Sequence, residues 1–275
     1  MNEALKQAPN RDPVWSRVRL EAQTIIDKEP LLAGLVHSSL LHHASLEHVL
    51  AFRMSIKLAS REMSEQLLRE IADQAHEADP SLGNAAREDM VAVFDRDPAC
   101  HNFCQPLLYF KGFQAVQSYR VGHWLWKTGR KDFAYFIQMR ASEVFGVDIH
   151  PGAVIGKGLL IDHAHSIVIG ETAVVGDNVS MLHSVTLGST GKETGDRHPK
   201  VRGGVLLGAG AKVLGNIVIG HCSRVAAGSV VLRDVPACKT VAGIPAKIVG
   251  EADCSEPSDT MDQYFHPSLG SPSAT

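Results

Sequence analysis

A six-residue pattern returns from Val147 to about Gly250 and limits the possible folds more than any other feature of the chain. An aliphatic residue heads each hexad, glycine or alanine often follows it, and a second small or aliphatic residue stands four positions after the head. Six residues suit one short strand and one tight turn, so the pattern predicts a parallel β-helix of stacked coils. The heads are Ile149, Ile155, Ile161, Ile169, Val175, Met181, Leu187, Val201, Leu207, Val213, Ile219, Val225 and Val231.

The regularity of the hexads argues against a β-sandwich, whose strands recur at about 8–12 residues. With three hexads to a coil, roughly five coils fit into this stretch. Two irregularities interrupt it: a two-residue phase slip at Asp162–His165, and a polar, glycine-containing insertion from Ser189 to Lys200. The insertion is expected to leave the prism as an exposed loop, and such loops often carry binding groups.

The chain divides into three parts by composition. Residues 1–142 contain few glycines and show apolar spacings of three and four, which predict a helical domain with longer helices near Pro106–Lys127 and Lys131–Phe145. Residues 143–250 form the predicted β-helix. Residues 251–275 are rich in serine, proline and acidic residues and contain no lysine or arginine, so we expect a disordered tail.

The overall composition gives no sign of a nucleic-acid or membrane partner. The formal net charge is −3 and the pI is about 6.5, and no apolar run is long enough to cross a bilayer. The N-terminus lacks the apolar core of a signal peptide. Five cysteines without a CxxC motif favour reduced thiols over a disulfide framework or a zinc site. These features predict a cytoplasmic protein without a bound metal.

The phase slip holds the strongest candidate for chemistry. His163 follows Asp162, and Asp148 lies 15 residues upstream, a little under one coil. Imidazole is the usual general base at neutral pH, and a carboxylate on its second nitrogen fixes the tautomer. The sequence therefore indicates His163 as a base, and Asp148 is within reach if the coils bring their faces together. We interpret His165 and His221 as solvated turn residues.

Charged side chains elsewhere suit the binding of a small zwitterion. Arg197 and His198, in the inserted loop, supply a fixed cation and a second imidazole, which together can bind a carboxylate. A solvated surface loop is the alternative interpretation. Asp97 precedes Pro98, and on local grounds it reads as a helix N-cap.

These motifs resemble those of the serine O-acetyltransferases, over nearly the whole chain except its two ends. The hexads alone indicate only an acyltransferase of the left-handed β-helix type, whereas the histidine-containing motifs together with the helical region are far more specific. The matching runs are Arg96-Asp-Pro-Ala, Pro106-Leu-Leu-Tyr-Phe-Lys-Gly-Phe, Tyr119-Arg-Val-Gly-His-Trp-Leu-Trp, Asp148-Ile-His-Pro-Gly, Ile161-Asp-His-Ala, Ile169-Gly-Glu-Thr-Ala, Ser184-Val-Thr-Leu-Gly, Gly195-Asp-Arg-His-Pro-Lys and Ala242-Gly-Ile-Pro-Ala-Lys-Ile-Val-Gly.

The resemblance implies acetyl transfer from acetyl-CoA to L-serine. His163, oriented by Asp148, would remove the hydroxyl proton, and the serine oxygen would attack the thioester directly, without an acyl-enzyme. The family pattern assigns the substrate carboxylate to Arg197 and His198. It assigns the ammonium group to Asp97 and Asp162.

The resemblance also implies how the co-substrate is held. CoA would lie in a groove between neighbouring prisms of a trimer, which in this family often pairs into a dimer of trimers. The matching positions are Ser189, Ala209 and Ala227, with Lys247 a candidate for the nucleotide phosphates. L-Cysteine is the expected feedback inhibitor at the serine site.

Two departures from the family pattern change what the resemblance implies. Ser189 stands where glycine is common, which keeps the backbone donor and narrows the space. Members that dock into O-acetylserine sulfhydrylase typically end in isoleucine, and this chain ends in Thr275. Threonine is smaller and more polar, so docking is predicted to be weak or absent.

Three other functions were weighed against serine acetylation. The first is a β-helix acetyltransferase for a sugar or antibiotic hydroxyl, which would have no use for the charges of Asp97, Asp162 and Arg197. The second is a metal-dependent hydratase resembling γ-class carbonic anhydrase, but the prism contains no closely spaced histidine pair of the HxxxxH kind. The third, a purely structural solenoid, leaves the Asp/His clustering unexplained.

Overall fold

The computed structural model describes residues 12–192, 194–252 and 256–263. The first helix begins where Asp12 caps it, since the Asp12 carboxylate accepts hydrogen bonds from the backbone N–H of Val14 and Trp15. The helices of the first half are α1 (Pro13–Lys28), α2 (Ala33–Val36), α3 (Leu46–Leu58), α4 (Glu65–Ala78), α5 (Ser81–Arg96), α6 (Cys104–Leu108), α7 (Lys111–Lys127) and α8 (Lys131–Phe145). A 3₁₀ turn at Pro30–Leu32 and a π-helical turn at His37–Leu41 flank α2.

Helical structure gives way to the solenoid at Gly146, which adopts a left-handed conformation (φ 69°) suited to glycine and ends α8. Short strands follow at regular intervals. They are β1 (Val147–Ile149), β2 (Val154–Ile155), β3 (Leu160–Ile161), β4 (Ile167–Ile169), β5 (Val174–Val175), β6 (Ser180–Met181), β7 (Thr186–Gly188), β8 (Lys200–Val201), β9 (Leu206–Leu207), β10 (Lys212–Leu214), β11 (Val218–Ile219), β12 (Arg224–Val225), β13 (Val230–Val231), β14 (Lys239–Gly243) and β15 (Ala246–Glu251).

The strands form three sheets, which are the faces of a triangular prism. Sheet A has the order β1-β4-β7-β10-β13, sheet B the order β11-β8-β5-β2, and sheet C the order β15-β14-β12-β9-β6-β3. All described pairings are parallel except the closing hairpin of β14 with β15. The predicted parallel β-helix is therefore confirmed, with five parallel strands in sheet A.

Hexad heads fill the interior of the prism. All of them are buried except Ile155, which is half-buried. The small residues four positions later are buried as well, as at Ala153, Ala173 and Ala211. A narrow prism has room only for such side chains, and each aliphatic head that leaves water stabilises the fold by about 1.5–3 kcal/mol. The chain passes from sheet A to B to C, so each coil has an A–B, a B–C and a C–A corner.

The helical region and the prism share one apolar core. Buried residues of α3, α4, α7 and α8 belong to the same cluster as the prism interior. A buried ion pair strengthens this junction: Asp89 of α5 accepts from Arg120 of α7 at 2.7 Å and from the backbone N–H of Leu159 at 3.0 Å. Arg120 also donates to the carbonyl of Gly156 at the B–C corner. The prism is thereby fixed against α5 and α7.

The long helix predicted near Pro106–Lys127 is interrupted at Tyr109–Phe110, so that prediction was wrong in its extent. The interruption lets α7 start at Lys111 and bring Gly112 against the prism. A β-carbon at Gly112 would lie 2.0 Å from the carbonyl oxygen of Ile161, so only glycine permits this approach. The start of α7 is thus set by the tertiary contact of Gly112 with Ile161. The local spacing of apolar residues does not reveal that contact.

The predicted disorder of the tail is wrong for residues 256–263. This segment forms the short helix α9 (Pro257–Thr260), whose Asp259 pairs with the buried Arg96 at 2.6 Å. The carbonyl of Ser258 accepts from the Ser180 hydroxyl at 2.8 Å. Partners from remote parts of the chain order these residues. Residues 264–275, including Thr275, lie outside the described residues.

The cysteines differ in state. Cys100, Cys104 and Cys222 are free thiols. Cys238 is disulfide-bonded, so the expectation of reduced thiols is wrong at that position. Within the part of the chain that the structure describes, no helix is both long enough and apolar enough to cross a membrane.

Candidate active site

The C–A corners of the first two coils carry the His163 cluster, which we define as Asp162, His163 and His183. His163 Nε2 lies 3.6 Å from Asp162 Oδ2, and its ring centre lies 6.1 Å from that of His183. The side chain of His163 is 74% exposed, whereas that of Asp162 is 24% exposed. The predicted base is thus presented at the surface beside a carboxylate.

An unusual turn presents His163. The head-to-head distance from Ile149 to Ile169 is 20 residues instead of the 18 of the next coil, so this coil holds two extra residues. His163 (φ 55°) and Ala164 (φ 54°) both adopt the left-handed conformation, which costs a side-chain-bearing residue on the order of 1 kcal/mol. Ala164 is fully buried, and Gly112 of α7 packs against it, so the helical region holds the turn in place.

The A–B corner carries a second group, the Arg197 cluster, which consists of His150, Glu171, Thr172, Arg197 and His198. Arg197 Nη2 donates to Glu171 Oε2 at 2.7 Å, and this hydrogen bond holds the pKa of Glu171 below its ordinary value. His198 is only 6% exposed. The inserted loop folds back onto the prism here, because Lys200 Nζ donates to the carbonyls of Thr172 and His198.

Hydrogen bonds assign the tautomer of His198. The backbone N–H of Thr172 donates to His198 Nδ1 at 3.2 Å, so that nitrogen is an acceptor and Nε2 carries the proton. Burial lowers the pKa of His198, and the nearby Arg197 lowers it further. The ring is therefore neutral at pH 7 and offers one N–H beside the Arg197 guanidinium. That combination suits a carboxylate.

Asp148 lies with the Arg197 cluster rather than with His163. Gln138 Nε2 donates to Asp148 Oδ1 at 2.6 Å, and Asp148 acts electrostatically on His150. Among the described residues no hydrogen bond or ion pair joins Asp148 to His163. The orientation of His163 by Asp148, implied by the resemblance, therefore stays a prediction.

Asp97 ends α5, where its carboxylate accepts from the N–H of Ala99 at 2.8 Å. It is therefore a C-terminal cap with a turn after it, not the N-cap favoured on local grounds. The helix α5 packs against β3, and Asp162 directly follows β3. Asp97 and Asp162 thus lie on the side of the prism that the helices cover.

The residues predicted to bind CoA lie at two corners of the prism and in the closing hairpin. Ala209 and Ala227 stack at the C–A corner of successive coils, where the N–H of Gly228 donates to the carbonyl of Ala209 at 2.8 Å. The exposed Lys247 belongs to the closing hairpin. Ser189 follows β7 and lies at the A–B corner, with the Arg197 cluster.

Two residues of the Arg197 cluster were missed as functional candidates. Glu171 and Thr172 belong to the Ile169-Gly-Glu-Thr-Ala run that contributed to the resemblance, yet no role was assigned to them. Their partners stand about 26 residues later, within the inserted loop, and sequence distance hides that contact. The Ile169-Gly-Glu-Thr-Ala motif was the sequence signal that could have pointed to these two residues.

Fold and clusters together define the class of the chain as the hexapeptide-repeat acyltransferases. Residues 14–118 match the family model described as "Serine acetyltransferase, N-terminal". The serine acetyltransferase of Escherichia coli K12 is 51% identical over 253 residues, which cover 92% of this chain and 93% of that one. The chain belongs to the serine acetyltransferase family.

Solved structures agree with this assignment. The crystal structure of serine acetyltransferase from Vibrio cholerae is 48% identical with a TM-score of 0.91, covering 93% of this chain and 99% of that one. The Brucella abortus enzyme in complex with coenzyme A is 51% identical with a TM-score of 0.87, covering 91% and 99%. Further similar structures are a complex with serine from Neisseria gonorrhoeae (50% identical, TM-score 0.83) and a complex with cysteine (49%, 0.90). They cover 86% and 92% of this chain and 98% of each of the two structures.

Proposed function

We propose that this protein transfers the acetyl group of acetyl-CoA to the hydroxyl of L-serine, giving O-acetylserine and CoA. The observation that carries the proposal is 51% identity to a serine acetyltransferase over 92% of the chain. The paired presence of an exposed imidazole and a carboxylate-binding cluster supports it, because a sugar substrate offers no charge for Arg197 to bind.

The reaction needs one base and one direct displacement. His163 takes the hydroxyl proton of serine while the oxygen attacks the thioester carbonyl. The tetrahedral intermediate then collapses, the bond between carbon and sulfur breaks, and the leaving thiolate recovers the proton from the imidazolium. Asp162 Oδ2 lies 3.6 Å from His163 Nε2, so a carboxylate stands beside the proposed base.

Each charged group of serine is bound by residues that suit its charge. Arg197 and the neutral N–H of His198 receive the serine carboxylate, while Asp97 and Asp162 receive its ammonium group. CoA lies along Ala209 and Ala227 on one side and Ser189 on the other, with Lys247 near its phosphates. L-Cysteine, which differs from L-serine by a thiol in place of the hydroxyl, competes for the same charges.

A complete site requires two copies of the chain. The strands of sheet A run from the C–A corner to the A–B corner, so the His163 and Arg197 clusters border opposite edges of this sheet. A three-fold rotation brings the A–B corner of one prism to the C–A corner of the next and closes after three copies. This trimer, alone or as a dimer of trimers, also completes the CoA groove and allows Asp148 of one copy to approach His163 of another.

Two further expectations concern the location of the enzyme in the cell and its binding to another protein. We propose a cytoplasmic location, where acetyl-CoA and serine are both available. Docking to O-acetylserine sulfhydrylase is predicted to be weak or absent, because Thr275 stands where docking members have isoleucine. A sub-micromolar affinity for the sulfhydrylase would contradict that prediction.

The proposal is tested by following thiol release from acetyl-CoA with L-serine, with a galactoside and without acceptor. Serine-dependent release is the expected result. Release with the galactoside and not with serine would transfer the function to the sugar acetyltransferases. No release with either would refute the proposal.

Replacing Gly170 with alanine is expected to raise KM for serine by about tenfold or more, because the new β-carbon would lie 2.0 Å from His198 Nε2 and 2.1 Å from His198 Cδ2. The buried ring must then leave its place beside Arg197. The control is Gly250→Ala, where a β-carbon meets nothing within 4 Å. Steady-state kinetics with varied serine provide the measurement, and an unchanged KM would show that the position of His198 does not matter for serine.

A further inference from the structure

We propose that Thr172 is the positioning residue of the carboxylate site: its hydroxyl fixes the backbone of the inserted loop, and its hydroxyl and backbone N–H together fix the tautomer of His198. This inference rests on the proposed function and deepens it. Thr172 touches no substrate in this assignment; it acts through Arg197 and His198.

Every hydrogen-bonding capacity of the Thr172 hydroxyl is used within this loop. The oxygen accepts from the backbone N–H of Arg197 at 3.0 Å and from that of His198 at 3.2 Å. Its hydrogen points to His198 Nδ1, 2.9 Å away. A hydroxyl has one donor and two acceptor positions, and these three contacts match that number.

The backbone of Thr172 adds two more contacts with the same loop. Its N–H donates to His198 Nδ1 at 3.2 Å, and its carbonyl accepts from Lys200 Nζ at 2.9 Å. Five contacts from one residue therefore hold the segment from Arg197 to Lys200 against the prism. Glu171, the preceding residue, orients the Arg197 guanidinium by a separate ion pair of 2.7 Å.

These contacts determine whether Nε2 of His198 carries a proton. With two donors directed at Nδ1, the proton of the neutral ring is confined to Nε2. An N–H at that position attracts a carboxylate, whereas the opposite tautomer would turn a lone pair toward it. Thr172, through its backbone N–H and its hydroxyl, thus keeps on His198 the N–H that attracts the substrate carboxylate.

The residue type fits this task. Branching at Cβ restricts the χ1 angle of threonine, so the hydroxyl stays aimed while the methyl group packs. Serine keeps the hydroxyl without that restriction, and valine keeps the shape without the hydroxyl. The pair of substitutions Thr172→Val and Thr172→Ser therefore separates the hydrogen bonds from the packing.

Two measurements test the inference. The first is hydrogen exchange of the peptide that contains Arg197 and His198, whose N–H groups bond to the hydroxyl. Thr172→Val is expected to speed the exchange of these two amides by about tenfold or more, while Thr172→Ser keeps most of the protection. Thr128→Val, which removes a hydroxyl at the end of α7 away from both clusters, is the control and leaves this peptide unchanged.

The second measurement is kinetic and uses two acceptors, L-serine and L-serinamide. Thr172→Val is expected to raise KM for serine about 10- to 100-fold, which corresponds to the loss of two or three hydrogen bonds, with KM for acetyl-CoA unchanged. Serinamide lacks the carboxylate, so its kcat/KM should fall much less. Thr172→Ser is expected to restore most of the serine KM.

The outcomes separate this inference from the proposed function. Equal losses for serine and serinamide, or a Thr172→Val variant with wild-type exchange and KM, would overturn the role of Thr172. Absence of serine-dependent CoA release from the unsubstituted protein would instead refute the proposed function. Hydrogen exchange would then still decide whether Thr172 holds the loop.

Discussion

Replacing His163 with alanine is expected to lower kcat/KM for serine by at least about 100-fold, because a general base contributes about 10²–10⁴ to the rate. The described structure offers no equivalent substitute: His183, the other imidazole of the cluster, lies 6.1 Å away between ring centres. The effect should appear mainly in kcat, since the residues proposed to bind the carboxylate and ammonium of serine are others. Steady-state kinetics of CoA release measure it.

The matched control is His221→Ala, which removes an exposed turn histidine at a B–C corner of the same prism. It should retain wild-type activity. If His163→Ala kept more than about a tenth of wild-type kcat/KM, the assignment of the base would be wrong, and His183 would be examined next.

Replacing Asp89 with alanine is expected to destabilise the fold by about 3–5 kcal/mol, the usual cost of removing one partner of a buried ion pair. Asp89 is 1% exposed and Arg120 is 6% exposed. The substitution leaves the Arg120 guanidinium buried without its carboxylate and removes the acceptor of the Leu159 N–H. Because this network attaches α5 and α7 to the prism, the loss should also loosen the turn that carries His163.

Glu88→Ala is a closely matched control, since it removes a carboxylate one residue away from an exposed pair with Lys157. Exposed pairs of this kind contribute little to stability. Denaturant midpoints would be compared at one fixed protein concentration, because association contributes to apparent stability. Equal midpoints for the two variants would contradict the importance of the buried network.

Periodicity predicted the solenoid in detail because a hexad is a local property. Each head depends only on whether its own side chain fits a narrow interior, and the strands of the structure lie where the heads stand. The chemical character of the corners was predictable for the same reason. Asp162-His163 interrupts the register, and Arg197-His198 stands in the insertion.

Features that depend on remote partners were not predictable from local sequence. The break before α7 reflects the contact of Gly112 with Ile161, about 50 residues later. The order of residues 256–263 depends on Arg96 and Ser180, and the proposed role of Thr172 depends on contacts with the inserted loop. The proposed pairing of Asp148 with His163 is the clearest case, since no hydrogen bond or ion pair joins the two among the described residues of a single chain.

The most direct test of the account is the activity of mixed oligomers built from two inactive variants, His163→Ala and Arg197→Ala, carrying different tags and purified through both. In a mixed trimer with shared sites, one interface of three combines an intact His163 cluster with an intact Arg197 cluster. We therefore predict about one third of wild-type serine acetylation from mixed oligomers, against almost none from either parent. Mixed oligomers as inactive as their parents, or the failure of the two chains to copurify, would contradict a site shared between copies.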